Sequence, residues 1–171
     1  MGIIIDKSKI ILLDSDVIIH FIKGDRLALL TEIYPNTYGI PDFVFDEVFK
    51  GNLRTQVENL ITYKRVIEVP FDDSRVVLQE FAELKRRYGI GESACMAYCK
   101  FHDEVLASSN LSDIKSYCTD NNIQYLTTMD LLTRAFEKGM MSESECDYFI
   151  YLVKSSGSKL PANSIKEYIQ R

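Results

Sequence analysis

No stretch of this sequence stays apolar for anything near the roughly 20 residues that a membrane-spanning helix requires. Its opening segment, MGIIIDKSKIILLDSD, lacks the basic, apolar and small-residue order of a secretory signal, and an aspartate interrupts it early. No membrane association and a cytoplasmic location are therefore expected. Basic residues are not in surplus: 20 Lys and Arg face 25 Asp and Glu, for a formal net charge of -5. A protein that coats nucleic acid needs a basic surface to displace counterions from phosphates, so this balance argues against that class. It leaves open an enzyme that acts on nucleic acid through bound metal, because the metal carries positive charge into the site. The four cysteines include no CxxC pair, the usual element of a structural zinc site. Cys95 and Cys99, beside Tyr98 and Phe101, read as core packing rather than as zinc ligands with His102 and Cys118. Nothing places His20 or His102 as a base beside a thiol. With no signal segment, all four thiols are expected to be reduced. No Walker loop, GxGxxG string, internal repeat or low-complexity tract is present.

What is present is an ordinary globular composition. The 171 residues are 46% apolar and 26% charged, enough to close a hydrophobic core in one domain. Short apolar runs read as strands: KIILL at 9–13, YGIP at 38–41, RVIEV at 65–69, EVLA at 104–107 and IQYL at 123–126. Between them lie segments with helical spacing. Residues 16–21 continue into 27–33. Pro41 suits the first turn of a helix through Phe43, Val44, Glu47 and Val48. Further helices are expected at 52–63, 73–88, 92–101, from Ser109 or Asn110 to about Asp120, at 128–138, 142–154 and 163–170. Strands alternating with helices indicate an α/β domain with a mostly parallel sheet. The SSGSKLP stretch is the one loose joint. It divides a domain at 1–155 from a tail helix at 156–171 that packs on the domain or extends from it.

The acids fall where such a fold builds its sites, outside the carboxyl ends of the strands. Asp14 ends the first strand, and Asp16 follows on the turn into the next helix. Glu47 lies after YGIP. Glu92 opens a helix behind a double-glycine turn. Asp113 follows the SSN string that trails EVLA. Each has a plain alternative as a helix cap, and Asp113, three residues after Asn110, suits that role best. Asp14 suits it least, because it terminates a buried-looking strand. Carboxylates that converge repel one another unless a cation joins them, and oxygen-rich clusters suit Mg²⁺ or Mn²⁺. Metal held in this way activates water and stabilises charge on a phosphoryl group, so the pattern points to phosphodiester hydrolysis.

These residues resemble the PIN-domain family of metal-dependent nucleases. ILLDSDVIIHFI is similar to that family's first motif. IPDFVFDEVFKG, GIGESACMAYC and VLASSNLSDIKSYC are similar to the second, third and fourth, and NNIQYLTTMDLLTRAFEKGMMSESE to the tail of a subgroup. The resemblance runs over residues 9 to 145. It implies a three-layer α/β/α sandwich around a mostly parallel sheet of about five strands. It also implies ribonuclease activity with Mg²⁺ or Mn²⁺ and a VapC-like toxin role opposite a small antitoxin protein, with a homodimer as the expected assembly. On this reading Asp14 is the central metal ligand, and Glu47 and Glu92 complete the set. Ser15 orients Asp14, and Asp16 stands where the family often has Asn. The family also carries an Asp in a TDD- or TND-like string after the fourth strand. Here Ser109 and Asn110 replace it, and Asp113, about one helical turn further on, is the candidate to reach the same space as catalytic acid and metal ligand.

Lys23, Lys50, Arg54, Arg86 and Arg87 follow or precede these motifs and are the candidates for an RNA-backbone rail; the cluster at Lys85, Arg86 and Arg87 also suits the negative end of a helix. Tyr38, Tyr63 and Tyr88 are candidates to stack bases or simply to pack. Two other readings stand beside the nuclease. A degenerate PIN-like module would bind RNA or protein without cutting, which the SSN string favours. A small-phosphoester hydrolase is suggested by the DxD of Asp14 and Asp16, but the glycine-rich and lysine motifs of that class are absent.

Overall fold

Among the described residues, five short strands form one parallel sheet in the order β3-β2-β1-β4-β5. The structure, a computed structural model, describes residues 2–42, 45–46 and 49–171. The strands are β1 (Ile11–Leu13), β2 (Tyr38–Pro41), β3 (Ile67–Val69), β4 (Val105–Ala107) and β5 (Tyr125–Leu126). Every pairing is parallel, with Ile11 opposite Tyr38 and Leu13 opposite Ala107. Parallel neighbours require a crossover, and helices supply it. Among the described residues these are α1 (Ser15–Lys23), α2 (Leu27–Leu30), α3 (Gly51–Thr62), α4 (Arg75–Leu84), α5 (Ile90–His102), α6 (Leu111–Asp120), α7 (Thr128–Glu137), α8 (Glu143–Ser155) and α9 (Ile165–Ile169).

Alternation along the strands divides the core into two layers, one on each face of the sheet. Ile11, Leu13, Ile40, Val105 and Ala107 point to one face, where α1, α3, α7 and α8 cover them with Val17, Phe21, Val57, Leu132, Phe149 and Ile150. Leu12 and Leu106 point to the other, beneath Val77 of α4, Met96 and Cys99 of α5 and Ile114 of α6. The result is the expected α/β/α sandwich. Burial on both faces is why β1 and β4 read as unbroken apolar runs rather than as alternating ones. All four cysteines are buried and unbridged, as packing residues.

The structure differs from the sequence expectation in detail. The sheet is wholly parallel. The apolar stretch 16–33 divides into α1 and α2, because Gly24 closes α1 and Asp25 adopts a left-handed conformation. Pro41 is the last residue of β2, paired with Val69 of the edge strand β3, rather than the start of a helix. The helix expected beyond it runs over Phe43, Val44, Glu47 and Val48, which lie outside the described residues. In the tail, Leu160, Ala162 and Ile165 are buried, and α9 packs on α7 and α8. The Ile165 amide donates to Asp147 Oδ1 at 2.8 Å, and the Tyr168 hydroxyl donates to Asp130 Oδ1 at 3.0 Å. Among the described residues no helix is long and apolar enough to cross a membrane.

Gly24 is required by packing. A Cβ built there would lie 2.2 Å from the ring of Phe149, which is buried against Phe21. Gly24→Ala is therefore expected to lower unfolding free energy by about 1–3 kcal/mol, the usual cost of overpacking a core. The measurement is a urea titration, and an unchanged midpoint would show that α1 and α8 are free to part.

Candidate active site

The chain builds β1, β2 and β3 toward one side and then places β4 on the opposite flank of β1. The switch point therefore lies between β1 and β4, where the loops leaving their carboxyl ends diverge and open a crevice. Asp14 immediately follows β1, and its amide donates to Ala107 O at 2.9 Å, so the two strand ends are locked level. Ser108, Ser109 and Asn110 follow β4. Glu92 reaches the same place from the first turn of α5, the helix that precedes β4. Asp14, Asp16, Glu92 and Asn110, with Ser15 and the Gly89–Gly91 turn, line one cleft of about 380 Å³.

Asp14 is only 2% exposed. Its Oδ1 accepts from the Ser15 amide at 2.7 Å and lies 3.5 Å from the Ser15 hydroxyl, so Ser15 fixes its orientation. Burial, followed by the charges of Asp16 and Glu92, pushes the Asp14 carboxyl up to about 8, against the hydrogen bonds from Ser15 and Ser108. Asp16 is also raised by burial, opposed by the amides of Ser109 and Val17. Its Oδ2 accepts from the Ser109 amide at 2.8 Å, and its Oδ1 accepts from the Val17 amide at 2.6 Å. Glu92 is raised by burial and by the charges of Asp113 and Asp16, while a hydrogen bond from the Asn110 side chain works the other way. Three helices, α1, α5 and α6, open onto this edge of the sheet, and their N-terminal N–H groups offset part of the repulsion.

Asp113 does not line the cleft. Its Oδ2 accepts from Asn110 Nδ2 at 2.8 Å and its Oδ1 from the Ser112 hydroxyl at 3.2 Å. The Asn110 amide thus stands between Asp113 and Glu92. Glu47 lies outside the described residues. Among the basic candidates, Lys23 is tied to Ser156 O and Ser158 Oγ in the tail. Lys50 donates to Asp46 O, and Arg54 pairs with Asp46 and Glu58. Arg86 pairs with Glu83, and Arg87 lines a separate cavity with Tyr88 and Tyr117. None of these five lines the acidic cleft.

One part of the neighbourhood escaped the sequence reading. The Ser109 hydroxyl accepts from the Thr128 amide at 2.8 Å and donates to Thr128 Oγ1, which lies 2.8 Å from His20 Nδ1. The Thr128 hydroxyl has one proton and two lone pairs, so it donates to His20 when Nδ1 of the neutral imidazole carries no proton. Burial, with the Lys23 charge second, pushes the His20 imidazole down to about 4, which suits this acceptor role. The usable signal was His20 four residues after Asp16, on the same face of α1. Its partner, 108 residues away, had none.

The charged side chains lining the cleft are all carboxylates, the donor chemistry that Mg²⁺ and Mn²⁺ favour. In this arrangement no three Asp, Glu, His or Cys side chains among the described residues enclose an ion. Asp16 accepts from the Ser109 amide and Glu92 from the Asn110 side chain. The donor set, three carboxylates on one cleft, fits a divalent ion by its chemistry.

Asp14 has a consequence for pH. Its folded carboxyl titrates near 8, against about 4 in an unfolded chain, so the folded state binds the extra proton across that interval. Its stabilising contribution is complete below about pH 4 and is lost as pH rises through 8. In metal-free protein, Asp14→Asn is expected to be several degrees more stable than the parent at pH 8 and to converge with it near pH 4.5. His20, which titrates in the opposite sense, is common to both proteins and cancels. Thermal melts in chelator across this range check it; a gap independent of pH would contradict the buried charge.

The fold and cleft can now be set beside known proteins. No curated protein matches the chain. Among solved structures, the crystal structure of VapBC2 from Rickettsia felis, bound to a DNA fragment from their promoter, is similar at 18% identity. That match covers 69% of this chain and 98% of the other, with a TM-score of 0.48. A family model described as PIN domain matches residues 10–171. The match takes in all five strands and every acid discussed above, and the chain belongs to the PIN-domain family.

Proposed function

We propose that this protein is a divalent-metal-dependent endoribonuclease whose working cleft lies between the carboxyl ends of β1 and β4. The observation that carries this reading is a buried Asp14 at the end of the central strand, sharing one cleft with Asp16 and Glu92. Membership of the PIN family supports nuclease chemistry, and the carboxylate donor set supports Mg²⁺ or Mn²⁺ as the ion. Such an ion, when bound, supplies an acidified water and neutralises charge on the scissile phosphate.

The chain's own residues prepare the cleft. Asp14 and Glu92 would hold the ion, with Glu47 as the third acid that the family motif implies. Ser15 keeps Asp14 oriented toward the cleft. Asn110 holds Glu92 and, through its amide, brings Asp113 to bear from behind. The N-termini of α1, α5 and α6 favour an incoming phosphate at the same edge. RNA is the substrate class, and a small antitoxin protein and a second copy of the chain are the proposed partners. These three expectations rest on the family.

A second reading, an RNA- or protein-binding module that does not cut, is favoured by the SSN string where the family carries acid. The two separate in one experiment. With Mn²⁺ and a mixed-sequence RNA oligonucleotide, the parent protein is expected to cleave, and chelator to abolish cleavage. Asp14→Asn and Glu92→Gln are each expected to lower kcat/KM by about 100-fold or more. RNA binding with no cleavage in Mn²⁺ or Mg²⁺ would transfer the assignment to the second reading.

A further inference from the structure

The Ser108–Asn110 loop after β4 carries no acid, yet the cleft beside it is lined by three carboxylates, Asp14, Asp16 and Glu92. We propose that Asp16 supplies, from α1, the carboxylate that the Ser108–Asn110 loop lacks, and that it joins Asp14 and Glu92 in holding the divalent ion. This inference rests on the metal-dependent reading above and deepens it.

Position is the first argument. Asp16 Oδ2 lies 2.8 Å from the Ser109 amide nitrogen and 3.5 Å from Ser108 Oγ, so its carboxylate sits directly on the backbone from which the missing acid would have projected. A side chain on that loop and one from the first turn of α1 thus reach the same space. Exposure to the cleft is the second argument. Asp16 lines it together with Asp14 and Glu92, whereas Asp113 does not and is instead engaged by Asn110 and Ser112.

The test is Mn²⁺ binding, read by titration calorimetry and by the thermal shift that a ligand of the folded state produces. Asp16→Asn retains one acceptor oxygen, which can serve the Ser109 amide, but removes the charge and the second acceptor that now faces Val17, and is expected to weaken Mn²⁺ binding at least tenfold. Thr128→Val loosens the same loop from the other side by removing the hydroxyl's bonds to Ser109 Oγ and His20, while the Thr128 amide still donates to Ser109, and is expected to bind Mn²⁺ within about twofold of the parent. If both variants weaken binding alike, Asp16 acts only by anchoring the loop, and the proposal fails. If Asp16→Asn binds Mn²⁺ as the parent does while Asp14→Asn does not, the proposal fails and the nuclease reading survives. If the parent itself binds no Mn²⁺ at millimolar concentration, the metal reading and this inference fall together. Crystals of the unmodified protein grown with Mn²⁺ give an answer that needs no variant. Anomalous density within roughly 2.2 Å of an Asp16 oxygen supports the assignment, and an ion held without Asp16 overturns it.

Discussion

The structure depends on keeping a carboxylate almost free of water at the end of its central strand. Asp14 is placed there by three apolar residues, Ile11 to Leu13, which are buried on both faces of the sheet and leave the next residue no route to the surface. An anion in that position is costly, and its surroundings answer the cost. The Ser15 amide and the Ser108 hydroxyl donate to it, and the first residues of α1 and α5, with the Asn110 cap of α6, line the same cleft. Yet two further carboxylates, Asp16 and Glu92, raise the repulsion again. A fold under selection for stability alone would place Asn at such positions. A cation held among them, as proposed above, would offset that repulsion.

How much of this was legible follows from the range of each interaction. β1, β4 and the helix that opens at Glu92 are written in local patterns: an apolar run ended by an acid, a second run, and a glycine turn before a buried helical face. The alternation of strands and helices gave the fold class for the same reason, since periodicity is a property of neighbours in sequence. What escaped depends on contacts between distant segments. The chain from Ser109 through Thr128 to His20 joins three elements, and no residue in it carries a distinctive motif. Asp16 was visible as an acid, but that its carboxylate would rest on the Ser109 amide depended on β1 and β4 being neighbours, which sequence order alone does not state. Pro41 misled locally. A proline suits a helix start, but it also suits the end of a strand, where its ring needs no ladder donor.

The basic residues illustrate the same limit. In sequence they flank the acidic motifs, and proximity in sequence suggests proximity to the cleft. In the structure their long side chains find nearer partners. Arg54 bridges Asp46 and Glu58 and lies over the Phe45 ring, while Lys23 secures the tail through Ser156 and Ser158. Such exposed pairs are individually worth little, roughly 0–1 kcal/mol, but they set where the cations rest. Positive potential at the cleft edge then comes from helix N-termini and from whatever ion the acids hold. This is consistent with a net charge of -5 in a protein proposed to act on a polyanion.

The parallel sheet also explains how an acid can be exchanged between segments far apart in the chain. Adjacent parallel strands lie roughly 4.8 Å apart, less than the reach of an aspartate from each side combined. Leu13 and Ala107 are in register, and the Asp14 amide extends the ladder by one bond, so the loops leaving β1 and β4 start from the same level. A carboxylate is therefore defined in such a fold by the point in the crevice it occupies, and not by the motif that contributes it. Loss of acid from one loop is tolerable when the neighbouring loop supplies an oxygen at the same point. A motif comparison that reads each segment separately registers only the loss. The sheet makes those segments neighbours and so brings the Asp16 carboxylate onto the Ser109 amide.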